Sequence, residues 1–260
     1  MAFFILMRKE KKYYHCKINK KGSEFIMIVF MSELVGTLIL ILLGDGVVAN
    51  VVLKNSKGSG SGWMVITTGW AFAVAIPALI FGSYSGAHFN PALTISLAVI
   101  GNIPWNQVPI YLAGQFIGAF LGAVLVFIQY YDQFRSTDNQ ADKLGVFATG
   151  PAIKNNVINF TGEFIGTYVL VFGILGIGAQ NFASGLGTLC VGFLIWAIGL
   201  SLGGPTGYAI NPARDLAPRI AHAILPIPNK GKSDWAYAWI PVVAPIAGAI
   251  IGAGFYTILL

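Results

Sequence analysis

The sequence predicts an all-α polytopic membrane protein: six transmembrane helices and two short re-entrant helices, arranged as an inverted internal repeat. Three observations carry that reading. The amino-acid balance is too apolar for a water-covered surface. Six hydrophobic runs have bilayer length. One set of motifs occurs twice, at matched positions in the two halves.

Of the 260 residues, 56% are hydrophobic and 10% charged, with a mean hydropathy of +0.72. A soluble domain carries about 25% charged residues, so this chain needs lipid as its solvent. The 32 glycines suit close helix packing in a bilayer. The net charge of +6 does not point to nucleic acid, because seven of the 16 Lys and Arg fall in the first 21 residues. Cys16 and Cys190 are too few and too far apart for a disulfide framework or a metal site. No cofactor is expected.

A bilayer core of about 30 Å takes about 20 apolar residues per helix. Six runs qualify, over residues 29–53, 63–84, 105–130, 158–180, 185–203 and 236–259. Two further apolar pieces, starting near Asn90 and Asn211, run only about 10 to 13 residues, the length of a re-entrant segment. Between the runs, 54–62 (KNSKGSGSG) is a flexible polar loop, 131–157 is a mixed-charge divider of the two halves, and 223–235 is a surface loop with Pro226 and Pro228. Residues 1–28 read as a basic tail outside a single channel domain at 29–259, disordered or foreign to the native product, since Met27 and Met31 both precede the first run. An apolar stretch without a small-residue cleavage site is not a signal peptide. The lysines and arginines divide too evenly between the two sides for the positive-inside rule to orient the chain.

The repeat fixes the architecture. SELVGTLIL at 32–40 matches GEFIGTYVL at 162–170, with Glu33 and Glu163 130 residues apart. AGQFIGAFLGA at 113–123 matches APIAGAIIGA at 244–253, with Gly118 and Gly248 also 130 apart. Between them lie SGAHFNPALT (85–94) and TGYAINPARD (206–215). Each half, about 29–130 and 158–259, holds three spans and one short segment, so the second half enters the membrane upside down. Inverted repeats place the functional site at their interface near the midplane.

The short segments carry the chemistry. Asn90 and Asn211 are helix N-caps, Pro91 and Pro212 take the first helical position, and Ala92 and Ala213 follow. Two such helices entering from opposite faces would meet N-terminus to N-terminus, with positive dipole ends aimed at one spot and amides free to donate to a passing hydroxyl. That arrangement suits a neutral hydroxyl carrier and repels cations. The unwound residues 86–89 and 207–210 offer carbonyl acceptors. Gly86 and Gly207 permit the tight approach before them.

On these residues the chain resembles the major intrinsic proteins, the aquaporins and glycerol facilitators, over about residues 29–259. The resemblance implies a right-handed aquaporin-like bundle with one pore per subunit. It also implies a homotetramer in the plasma membrane with cytoplasmic termini. The family's four constriction positions fall here on Trp70, Gly199, Tyr208 and Arg214, close to the Trp, Gly, Phe, Arg set of glycerol facilitators. Gly199 would widen the constriction, Trp70 and Tyr208 would form an apolar corner for a polyol's carbons, and Arg214 would offer its fork of donors to successive hydroxyls. Asp215 also resembles the glycerol branch, with a structural role through Arg219 or the loop. Charges at a helix centre cost about 2.5–3.5 kcal/mol on insertion scales, and the resemblance assigns Glu33 and Glu163 to hydrogen bonds from the re-entrant loops. His88 is expected to shape the pore wall, and Asp45 to lie near the outer end of the first helix rather than in the pore.

The function that follows is passive passage of glycerol and water, and of similar uncharged solutes such as dihydroxyacetone, urea or protonated lactic acid. No enzyme activity is expected. A water-selective aquaporin is the alternative, which Gly199 and Asp215 oppose. A coupled secondary transporter is a second, since inverted repeats and buried acids occur there as well.

Overall fold

The computed structural model describes residues 22–260; the basic tail before Gly22 lies outside them. Ten α-helices follow: α1 (Gly22–Val52), α2 (Trp63–Ser85), α3 (Pro91–Val99), α4 (Val108–Gln129), α5 (Tyr131–Ser136), α6 (Gln140–Phe147), α7 (Asn156–Gly178), α8 (Leu186–Leu202), α9 (Pro212–Ile224) and α10 (Ile240–Leu259). Among the described residues there is no strand. The spans are α1, α2, α4, α7, α8 and α10. Five are long and apolar enough to cross a bilayer, and α8 has 17 residues. At 1.5 Å per residue α8 reaches about 25 Å, the low end of a spanning helix.

Two differences from the sequence reading go beyond a few residues at a helix end. Helix α1 begins at Gly22 rather than 29, because Phe25, Ile26, Met27 and Ile28 continue the apolar run without a breaker. The divider at 131–157 contains α5 and α6. Asn139 caps α6, its side chain accepting from Ala141 N at 2.9 Å, a local signal in a segment without apolar periodicity.

The repeat is visible in atomic detail. Helix α1 packs along α4, and α7 along α10, through small residues. A Cβ at Gly118 would sit 2.2 Å from the Leu34 carbonyl oxygen, and one at Gly248 would sit 2.2 Å from that of Phe164. One turn on, Gly122 meets the Leu38 carbonyl oxygen and Gly252 that of Tyr168, both at 2.7–2.8 Å. Each partner lies 130 residues from its counterpart. Backbones in contact replace side-chain burial here, because lipid gives helices no hydrophobic reason to associate. The opposite face of α4 exposes Ile117, Leu121, Leu125 and Ile128, the large side chains a lipid-facing surface requires. Gly118→Val therefore forces α1 off α4. We expect it to abolish the monodisperse peak of the detergent-solubilised protein on size exclusion, where Ile117→Val leaves it intact.

The half-helices α3 and α9 fill the gap between these two helix pairs. Helix α2 ends at Gly86, whose φ of 84° closes it with a left-handed residue. The chain then turns back into the bundle instead of leaving it.

Candidate functional site

The loops before α3 and α9 have the same backbone. Gly86, Ala87 and Phe89 have φ of 84°, 51° and 49°; Gly207, Tyr208 and Ile210, each 121 residues later, have 83°, 40° and 43°. Non-glycine residues in this region cost on the order of 1–3 kcal/mol each and persist only where the surroundings hold them. Two buried glutamates do the holding. Glu33 accepts from His88 N at 3.0 Å, Phe89 N at 2.8 Å and Ser85 Oγ at 2.6 Å. Glu163 accepts from Ala209 N at 2.9 Å and Ile210 N at 2.8 Å, and Thr206 hydrogen-bonds it from Ser85's equivalent position. Gln115 adds a donor to Glu33 at 2.8 Å. Its counterpart is Pro245, so the second half lacks that strut.

The two half-helices meet through their caps. Asn90 Oδ1 accepts from Ala92 N at 2.9 Å, and Asn211 Oδ1 from Ala213 N at 3.0 Å and Arg214 N at 3.2 Å. Asn90 Nδ2 donates to Ile210 O, and Asn211 Nδ2 to Phe89 O, both at 2.8 Å. The expectation of wholly free amides is therefore corrected: one N–H of each asparagine ties the halves together, and one remains for a ligand. Phe89 and Ile210 likewise spend carbonyl acceptor capacity on the crossing. Both asparagines are almost buried, at 6% and 7% exposure, and both border a cavity. Pro91 and Pro212 begin the helices, and Ala92 and Ala213 are fully buried against their neighbours.

The cavity runs along the junction. Its open volume of about 80 Å³ holds several water-sized molecules. Leu40, Val74, Leu93, Leu170, Ile174 and Ile195 supply an apolar wall. Ala87, His88, Gly207 and Ala209 bring unwound backbone, and Trp70, Tyr208 and Arg214 complete the lining. His88 is fixed by its Nδ1 at 3.1 Å from Thr94 Oγ1 and by stacking on Tyr111 at 4.5 Å.

The structure changes how the four constriction positions relate. Trp70 borders the cavity, as Tyr208 does. Its ring lies under the Arg214 guanidinium, with Cζ 4.1 Å from the centroid, and Gly44 on α1 makes room for its edge, since a Cβ there would meet it at 2.3 Å. Tyr208 packs edge-on to Trp63 at 5.7 Å, and Trp63 Nε1 donates to Gly199 O at 3.0 Å. Gly199 does not open the cavity: a Cβ there would meet Tyr208 Cζ at 2.8 Å and Oη at 2.9 Å. The phenol tip fills the space the glycine leaves.

Arg214 is held from behind. Its Nη1 donates to Phe147 O at 3.2 Å and to Asp45 Oδ1 at 3.3 Å. Among the described residues Nε and Nη2 make no hydrogen bond. Asp215 has both roles read from the sequence: it accepts from Thr149 N and Oγ1 at 2.8 and 2.7 Å, and from Arg219 Nε at 2.8 Å. Arg219, fully buried, also donates to Thr149 O at 2.8 Å and Ser233 O at 2.8 Å, fastening both flanking loops to α9.

Sequence reasoning missed Trp63, Gln115, Thr149, and the pairing of Asp45. Gln115 had a signal, as a polar residue between the glycines of an apolar span. Trp63 and Thr149 had none, because they act through long-range contacts.

The comparisons with known proteins agree with this architecture. The profile of the family described as major intrinsic protein matches residues 21–256. A probable glycerol uptake facilitator protein of Thermotoga maritima is 59% identical over 230 residues, covering 88% of this chain and 98% of its own length. The glycerol uptake facilitator protein of Bacillus subtilis is 57% identical over 230 residues, 88% of this chain and 84% of the relative. The X-ray structure of the aquaglyceroporin from Plasmodium falciparum matches with a TM-score of 0.80 at 31% identity, over 90% of this chain and 96% of that one. This membrane protein, with its doubled Asn-Pro-Ala half-helices joined cap to cap, belongs to the major intrinsic protein family.

Proposed function

We propose that the chain is a passive channel for glycerol, conducting along the cavity between the half-helices. The observation that carries the reading is the mixed lining of that cavity. Aliphatic side chains border it together with donors anchored from behind: the second N–H of Asn90 and Asn211, and the open side of the Arg214 fork. A polyol is amphipathic in the same sense, with carbons on one edge and hydroxyls on the other. Fixed donors replace its hydration shell without reorganising. A charged solute, by contrast, loses hydration that a mostly apolar wall does not return.

Glu33 and Glu163 act as loop supports, Trp70 and Tyr208 as the aromatic sides of the constriction, and His88 as pore wall. Gly199 serves as a seat for Tyr208. Water and other small uncharged solutes, among them dihydroxyacetone, urea and protonated lactic acid, fit the same chemistry. The relatives named as glycerol facilitators support glycerol. The family resemblance supports a homotetramer in the plasma membrane with cytoplasmic termini.

The test is stopped-flow light scattering on proteoliposomes, comparing osmotic shrinkage in sucrose with re-swelling in glycerol. Re-swelling at least about tenfold faster than in empty liposomes, a barrier lower by about 1.4 kcal/mol, is the expected result. It should not saturate at low millimolar glycerol or depend on a pH gradient. Fast shrinkage without re-swelling would make this a water channel, and saturable, pH-driven flux a coupled transporter.

A further inference from the structure

Asp45 is a carboxylate with no place in the loop scaffold. It lies on α1, fully buried, outside the residues that line the cavity, and its Oδ1 is 3.3 Å from Arg214 Nη1. Its second oxygen, Oδ2, is buried without a hydrogen-bond partner. Burying an acceptor unsatisfied is unfavourable, so this side chain is poorly matched to its site by hydrogen bonding. What it does supply is an ion-pair partner for Arg214, at 3.3 Å.

The neighbouring charges are already committed. Asp215 takes Arg219 and Thr149, so among the described residues Asp45 is the carboxylate that pairs with Arg214. Among the described residues two arginines and two aspartates are thus buried as two matched pairs. One of these, Asp45–Arg214, has the arginine's other donors open to the solute path.

We propose that Asp45 is a specificity-determining residue of this channel: by cancelling the charge of Arg214 from behind, it lets the guanidinium serve neutral hydroxyls as a donor without holding small anions. The proposal rests on the channel reading above. An uncompensated guanidinium in a narrow, poorly hydrated passage is a carboxylate- and oxyanion-binding group, because charge-assisted bonds to it are short and strong. With Asp45 in place the pair is neutral overall, and an approaching anion meets the carboxylate's repulsion together with the arginine's attraction.

The test is glycerol re-swelling of proteoliposomes in nitrate medium against gluconate medium. Nitrate is a small planar oxyanion with no undissociated form at neutral pH; gluconate is too large to enter. Native protein is expected to re-swell equally in both. Asp45→Asn, which keeps an acceptor for Arg214 but removes the charge, is expected to be slower in nitrate by about threefold or more, from charge-assisted occupancy of the guanidinium. Asp45→Asn combined with Arg214→Gln restores neutrality and should lose the nitrate sensitivity. A merely structural role for Asp45 would alter flux alike in both media. Equal re-swelling of Asp45→Asn in nitrate and gluconate overturns the proposal. If Asp45→Asn fails to assemble or to conduct but the double variant does both, charge balance is upheld. If both fail, Asp45 serves the fold and the proposal falls. Native protein that does not pass glycerol would instead overturn the channel reading.

Discussion

Glu163→Ala is expected to bring glycerol re-swelling down to the level of empty liposomes and to lower the thermal midpoint of the solubilised protein. The carboxylate is the acceptor for two consecutive buried amides, Ala209 N and Ile210 N. Leaving a buried donor unsatisfied costs about 1–3 kcal/mol, so the pair costs about 2–6 kcal/mol. The same bonds hold Tyr208 and Ile210 at φ of 40° and 43°. A loop released from them relaxes toward ordinary backbone, which withdraws Ile210 O from Asn90 and moves Tyr208 out of its place at the constriction. Removing a charge buried in the bundle also relieves desolvation, so the flux should fall more completely than the stability. Glu163→Gln keeps one acceptor but sets an NH2 group against an N–H, and should lie between native and alanine. Re-swelling of Glu163→Ala within a factor of about two of native would show that the loop holds its shape without the glutamate.

Gly199→Ala is expected to slow glycerol by about tenfold, equivalent to about 1.4 kcal/mol of added barrier, while slowing water far less. A methyl group at 199 meets Tyr208 Cζ at 2.8 Å, Thr67 Cγ2 at 2.9 Å and Tyr208 Oη at 2.9 Å. The phenol is the movable partner, and Trp63 blocks it on one side. Its way out is toward the cavity that Tyr208 already borders, where it narrows the passage for a three-carbon solute more than for water. Tyr208→Ala in the Gly199→Ala background removes the obstruction and should restore glycerol flux. If the double variant stays as slow as the single, the glycine acts through the backbone near Trp63 and not through the tyrosine.

These two effects mark the boundary of what the sequence could supply. Membrane residence, the six spans, the two half-helices and the duplication follow from it directly. Each is a local or periodic property: apolar run length is set by bilayer thickness, and Asn-Pro at two matched positions reads as a capped helix start wherever it occurs. The loop glutamates were legible in part: an isolated acid in an apolar span needs a buried partner to be tolerated, and the family resemblance named the re-entrant loops as that partner. The abundance of glycine likewise pointed to close helix packing, since a small side chain leaves a groove that another helix backbone fills.

Only the tertiary structure decided how these pieces act on one another. That Gly199 seats a phenol instead of opening the cavity depends on Tyr208 in a loop nine residues later being turned left-handed. That each signature asparagine spends one N–H on the opposite repeat depends on two termini 121 residues apart meeting end to end. Asp45 read as an ordinary acid near the end of its helix, and its ion pair with Arg214 spans 169 residues of chain. Spacing along one helix or loop fixes what a residue is able to offer. Which partner takes the offer is fixed by distances between elements, and those are set by the close approach of α1 to α4 and of α7 to α10.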